Sequence, residues 1–162
     1  MENGRIFYSA VQFSSMSKTI NSLDELASEA TTFAHTLKPH THMATLVTLS
    51  GELGAGKTAF TKAVAQAFGI AEVVNSPTFV LEKIYQVPTA SSNAFSRLIH
   101  IDAYRLETGA DLKPLAFEEF MKDSQNLIFV EWPEKVADLL PEASVRIALE
   151  LLPGGSRTIS YA

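Results

Sequence analysis

Gly51-Glu52-Leu53-Gly54-Ala55-Gly56-Lys57-Thr58 satisfies the pattern G-x-x-x-x-G-K-[ST] at every constrained position. The pattern carries weight only between a strand and a helix, and both flanks are present. Residues 44–49 (Ala-Thr-Leu-Val-Thr-Leu) form an apolar, β-branched run of strand length, and residues 59–68 are rich in helix formers, with Gly69 where a helix C-terminus places glycine. Glycines 51, 54 and 56 permit positive φ and let main-chain N–H groups come close to phosphate oxygens. The helix beginning near Lys57 turns the positive end of its dipole to the same phosphates. Lys57 supplies a cation for the β- and γ-phosphates, and the Thr58 hydroxyl is a ligand for a magnesium ion bridging them. The main chain of Glu52, Leu53, Gly54, Ala55 and Gly56, with Lys57 and Thr58, is therefore the expected nucleotide cradle.

The chain has 162 residues, 46% hydrophobic and 19% charged, which matches one α/β domain over residues 1–162 with residues 1–16 as an N-terminal extension. Its longest apolar runs, such as residues 127–130, are far too short for a membrane span, and no secretory leader is legible, so the expected location is the cytoplasm. There is no cysteine, which excludes a disulfide framework, a thiolate metal site and a cysteine nucleophile. The four histidines form no metal-binding pattern, and His40-Thr41-His42 reads as a solvated turn. Net charge is −5, without a run of lysines or arginines, so the chain lacks the basic stripe with which proteins hold RNA or DNA directly.

In chain order, Ile6-Phe7-Tyr8 is a strand-like patch and Lys18-Thr19-Ile20 a short strand. Ser22-Leu23-Asp24-Glu25 has capping-box spacing. Leu23, Leu26, Ala27, Ala30, Phe33, Ala34 and Leu37 then predict one apolar helix stripe up to Pro39. Residues 79–87 alternate as a partly exposed strand, 88–96 as a polar hairpin loop, and 97–102 as the returning strand. Gly109 and Pro114 break residues 106–122 into short helical pieces, one at 115–121. Residues 127–131 read as a buried strand, 133–140 as a short helix opened by Pro133, and 143–152 with 157–161 as a closing hairpin around Pro153-Gly154-Gly155. The predicted architecture is a three-layer α/β P-loop fold with a mixed central sheet and helices on both faces.

Two apolar runs end in a carboxylate, Leu98-Ile99-His100-Ile101-Asp102 and Leu127-Ile128-Phe129-Val130-Glu131. In an open α/β sheet such strand ends share the edge that carries the P-loop. Asp102 is the candidate magnesium holder. Glu131 is the candidate that orients or deprotonates the attacking water. A strand-terminal carboxylate also serves as a helix cap, the alternative for both. Ser76-Pro77-Thr78 lies where related folds keep a segment that senses the γ-phosphate, although by itself it reads first as a strand-entry turn. Trp132, the single tryptophan, follows Glu131 and is a candidate nucleotide neighbour.

Taken together, Gly-Glu-Leu-Gly-Ala-Gly-Lys-Thr at 51–58, Ser-Pro-Thr-Phe at 76–79, His-Ile-Asp-Ala-Tyr-Arg at 100–105 and Glu-Trp-Pro-Glu at 131–134 resemble, in order and spacing, the bacterial TsaE (YjeE-type) ATPases. The resemblance implies a small Mg-dependent ATPase that works with the TsaB and TsaD proteins in making threonylcarbamoyladenosine beside the tRNA anticodon, with tRNA reached only through that complex. It implies a switch role for Thr78, magnesium binding for Asp102 and catalysis by Glu131, with Lys57 on the phosphates and Thr58, Asp102 and Glu131 around the metal. Ala116 stands where the family pattern has glycine. The main rival is a small-molecule kinase. Such kinases bring several arginines over the phosphates, whereas the five arginines here are scattered and only Arg105 adjoins a site motif. The N-K-x-D guanine signature is absent, which favours ATP over GTP. A non-catalytic nucleotide sensor stays open at this point.

Overall fold

The computed structural model describes residues 16–89 and 94–162. The Ile6-Phe7-Tyr8 patch and the centre of the 88–96 loop lie outside them. Seven strands form one sheet: β1 (Met16–Ile20), β2 (Thr45–Ser50), β3 (Glu82–Gln86), β4 (Arg97–Asp102), β5 (Asn126–Glu131), β6 (Val145–Leu151) and β7 (Arg157–Tyr161), in the spatial order β1-β7-β6-β2-β5-β4-β3. Strands β6, β2, β5 and β4 pair in parallel, while β7 and β3 run against their neighbours. The sheet is mixed, as predicted. Its parallel centre is covered on both sides, which explains why β5 is buried along its whole length and reads as an unbroken apolar run rather than an alternation.

Helices α1 (Leu23–Thr36) and α2 (Lys57–Ala67) pack together over one face, with Val47, Leu49, Leu98, Leu127 and Phe129 beneath them and Phe33 lying 5.5 Å from Phe60, centroid to centroid. The other face, lined by Leu46, Ile99, Ile101, Ile128 and Val130, is covered by 3-10 turns at Ala103–Arg105, Gly109–Leu115 and Pro133–Lys135 and by α3 (Phe117–Met121). The two layers over the sheet thus differ in kind, two long helices against a set of short turns and one five-residue helix.

Helix α1 begins as its sequence predicts, with the Ser22 hydroxyl accepting from the Glu25 N–H at 3.1 Å. The reciprocal bond is displaced by one residue, since Glu25 accepts from the Asn21 N–H at 2.7 Å. Leu23 falls outside the buried stripe and is 61% exposed. The strand predicted over 79–87 begins only at Glu82, because Leu81 takes φ 66 and turns the chain into the sheet after Phe79 and Val80, both exposed. The helix predicted over 133–140 shrinks to a single 3-10 turn over Pro133–Lys135. Gly109, read as a helix breaker, packs against Leu139, where an added Cβ would lie 2.2 Å from the Leu139 Cβ. No helix among the described residues is long and apolar enough to cross a membrane.

Candidate functional site

Strand β2 is the middle strand of the seven, and the loop at its C-terminal end carries positive φ at Gly51 (141°), Gly54 (83°) and Gly56 (109°) before α2 begins at Lys57. Gly56, the N-cap of α2, offers no side-chain cap, so the first N–H groups of the helix keep their donors for a ligand. Ala55 is buried and anchors the loop, whereas Leu53 at its tip is 77% exposed. Lys57 is only 5% exposed. Its ammonium donates to the carbonyls of Gly51 (2.5 Å) and Glu52 (2.9 Å) and lies 4.1 Å from the centre of the Trp132 ring. Burial lowers the Lys57 pKa from its ordinary value, and the negative charges of Glu131, Glu134, Asp102 and Glu52 act against that fall.

Parallel pairing sets the two carboxylates side by side. Leu49 is in register with Glu131, and Glu131 with Asp102, so the ends of β2, β5 and β4 form one row. Leu98, His100 and Asp102 on β4, with Leu127, Phe129 and Glu131 on β5, share the face covered by α2, as the placement of Leu98, Leu127 and Phe129 in that core shows. The Thr58 hydroxyl, one residue into α2, donates to Glu131 Oε1 at 3.0 Å. Asp102 Oδ2 accepts from Thr78 (2.6 Å) and Ser76 (3.0 Å), and its Oδ1 accepts from the Tyr104 N–H at 3.0 Å. Asp102 therefore caps the turn that follows it, as the capping alternative expects, while its other oxygen accepts from Thr78 and Ser76.

All the sequence-predicted positions thus gather at one end of the sheet. Thr58, Asp102 and Glu131 converge through hydrogen bonds or register, Lys57 and Trp132 through a cation–ring contact, and Thr78 through Asp102. Four residues that sequence reasoning did not single out join them. Ser76 shares Asp102 with Thr78, the Tyr104 ring packs 5.1 Å from Trp132, Glu134 lends negative charge near Lys57, and His100 bonds Glu131 Oε1 at 2.7 Å while fully buried. The signal for His100 was present in the sequence, as the one polar residue inside the run Leu-Ile-His-Ile. The turn His40-Thr41-His42 is less solvated than expected, because His40 bonds the Ser144 hydroxyl at 2.8 Å and burial lowers its pKa.

The family model described as threonylcarbamoyl adenosine biosynthesis protein TsaE matches residues 20–159. The chain belongs to the TsaE family. It is 35% identical over 143 residues to the tRNA threonylcarbamoyladenosine biosynthesis protein TsaE of Rickettsia typhi, covering 88% of this chain and 91% of that one. To the Treponema pallidum TsaE it is 38% identical over 117 residues, covering 72% and 81%. The crystal structure of Bacillus subtilis YdiB superposes with a TM-score of 0.71 at 26% identity, covering 91% of this chain and 84% of that chain. This TsaE sequence has alanine at position 116, and the structure explains why glycine suits the place: Ala116 takes φ 53, ψ 28, the left-handed conformation, between the Gly109–Leu115 turn and α3.

Proposed function

We propose that the chain hydrolyses ATP to ADP and phosphate, with Mg2+, in support of the TsaB and TsaD proteins as they form threonylcarbamoyladenosine beside the tRNA anticodon. The observation that carries the reading is the convergence of Thr58, Glu131 and Asp102 at the mouth of the glycine loop. The donor set fits magnesium. It consists of hard oxygens only, one hydroxyl and two carboxylates, and Mg2+ prefers one or two carboxylates with phosphates and several waters to a cage made of protein. Among the described residues no three His, Cys, Asp or Glu side chains cluster as such a cage. When bound, the ion would offset the negative charge of the nucleotide's phosphates.

The chain's own groups divide the remaining work. The loop amides from Glu52 to Gly56 and the start of α2 bind phosphate oxygens, and Lys57 exchanges its carbonyl partners for the phosphates. Thr58 and Asp102 hold the metal's side of the site, with the second carboxylate of Glu131 beside them. Glu131 orients the attacking water and accepts its proton. Thr78, bonded to Asp102, is placed to register what occupies the metal's position. Trp132 lies beside the nucleotide through its contact with Lys57. A net charge of −5 makes direct capture of tRNA unfavourable, so tRNA is reached through the protein complex. The relatives' names attach them to threonylcarbamoyladenosine biosynthesis, which supports the choice of pathway.

ATP hydrolysis by the purified chain, measured alone and after addition of TsaB and TsaD, tests the proposal, with Lys57→Ala as the inactive control. Release of phosphate that rises with the partners and vanishes in the control is expected. Undiminished hydrolysis by the control, or none under any condition, refutes it.

A further inference from the structure

We propose that His100 is a positioning residue: its Nε2–H holds one oxygen of Glu131 so that the other is left for the reacting water. The inference rests on the hydrolytic reading above and assigns to that reading a residue outside the nucleotide cradle.

The geometry is specific. His100 lies two residues before Asp102 on β4 and on the same face. In register it is opposite Phe129, so its ring reaches diagonally, one strand over and two residues along, to meet Glu131. Nε2 stands 2.7 Å from Glu131 Oε1, and Thr58 Oγ1 stands 3.0 Å from the same oxygen. A carboxylate only accepts, so Nε2 carries the proton, and Oε1 receives two donors. Both of the side chain's hydrogen bonds fall on Oε1, leaving Oε2 uncommitted among the described residues. A carboxylate held at one oxygen from two directions cannot swing about its last torsion, and that terminal torsion is otherwise broad and soft.

The environment argues that the histidine is there for this bond. His100 is 0% exposed and Glu131 3%; Leu98, Leu127 and Phe129 pack on their face of the two strands, with Asp102 the other buried carboxylate beside them. His100 Nδ1 is buried and has no partner among the described residues. A buried, unsatisfied nitrogen costs free energy that an apolar side chain would avoid, and such groups call for an explanation. A leucine would pack the same layer without that cost, but it would leave Oε1 to Thr58 alone. Because the Thr58 hydroxyl also serves the metal in the proposed function, His100 is, among the described residues, the one anchor of Glu131 with no second task.

A purely structural buried pair makes different predictions. His100→Leu removes the donor at similar volume, and His100→Gln returns an amide donor at comparable reach. We expect His100→Leu to lower kcat by about 10- to 100-fold, the usual range when the partner of a reacting group is lost. Its Kd for ATP, by calorimetry, should stay within about twofold of wild type, and His100→Gln should recover most of the rate. In a Glu131→Gln background the His100→Leu change should add less than about twofold, because its effect passes through the carboxylate. An equal further loss in that background, an unchanged rate in His100→Leu, or loss of ATP binding by a folded His100→Leu overturns the proposal. If His100→Leu does not fold, ring nitrogen NMR of the whole wild-type chain still decides: the proton must reside on Nε2 and its resonance must move in Glu131→Gln. A proton on Nδ1, or an unmoved Nε2 signal, refutes the proposal alone. Absence of hydrolysis in the wild type with every partner refutes the hydrolytic reading and this proposal with it.

Discussion

Replacing Gly51 by alanine separates two ways in which a glycine loop depends on glycine. At Gly51 a new Cβ would lie 2.3 Å from the Leu149 carbonyl oxygen, 3.2 Å from its carbon and 3.3 Å from the Ala55 Cβ. Carbon and oxygen approach comfortably only to about 3.3 Å, so the loop and β6 must part by about 1 Å. Strand β6 cannot yield freely, since Ser50 is in register with Ala148 beside this contact. Such overpacking costs about 1–3 kcal/mol, and φ 141 adds backbone strain of about 1–3 kcal/mol. Gly54 is the internal comparison, because its φ is 83 but nothing lies within 4 Å of an added Cβ, leaving only the strain. At about 2–4 °C per kcal/mol for a domain of this size, Gly51→Ala should lower Tm by about 10 °C and Gly54→Ala by about 4 °C. Scanning calorimetry without nucleotide measures both. The Gly51 carbonyl also accepts from Lys57, so Gly51→Ala should weaken ATP binding as well. Equal shifts in the two variants, or a Gly51→Ala Tm within about 2 °C of wild type, would refute the reasoning from close approach.

Asp102→Asn and Glu131→Gln should differ in kind: the first weakens magnesium-dependent ATP binding, the second leaves ATP bound and slows its hydrolysis, and isothermal titration with single-turnover assays distinguishes them. Glu82, pushed up to about 7 by burial, gives a pH dependence of defined sign. Its folded pKa exceeds the ordinary 4.5, so the stability it permits is complete below pH 4.5 and is lost as pH rises through about 7. The shift sets a ceiling of about 3 kcal/mol, which solvent screening at this half-buried site cuts to about 1 kcal/mol; Glu82→Gln should therefore flatten the decline in Tm between pH 5 and 8, and an unaltered decline would count against the assignment. Ala116→Gly should relieve the left-handed alanine and stabilise by about 0.5–1 kcal/mol after the entropy of the unfolded chain is counted; a Tm that falls instead would contradict this.

Where a local rule governs, the sequence was legible. The glycine loop, the Ser22 cap, the buried run of β5 and the closing hairpin each follow from residues adjacent in the chain, and each appears where expected. The boundaries that moved depend on distant partners. Phe79 and Val80 have strand composition, yet Leu81 at φ 66 delays β3 until the chain meets β4. Gly109 looks like a breaker in one dimension and is a packing glycine in three, because its neighbour Leu139 lies thirty positions along the sequence. The same holds in the site. Glu131 and Asp102 could be picked from strand ends, and His100 left a signal as the polar residue in an apolar run, but Ser76 and Tyr104 become visible only through their contacts with Asp102 and Trp132.

The row Leu49–Glu131–Asp102 has a consequence for how this chain can vary in length. Substitution can tune the site gradually, because a changed side chain stays on its own face. Insertion or deletion cannot. One residue added within β5 between Asn126 and Glu131 would send Glu131 to the side packed by Ile128 and Val130 and deliver a valine to the P-loop side, since successive residues of a strand alternate. Length change within these strands is thus all-or-none, whereas the turn at Pro153-Gly154-Gly155 has open space around both glycines and can absorb it.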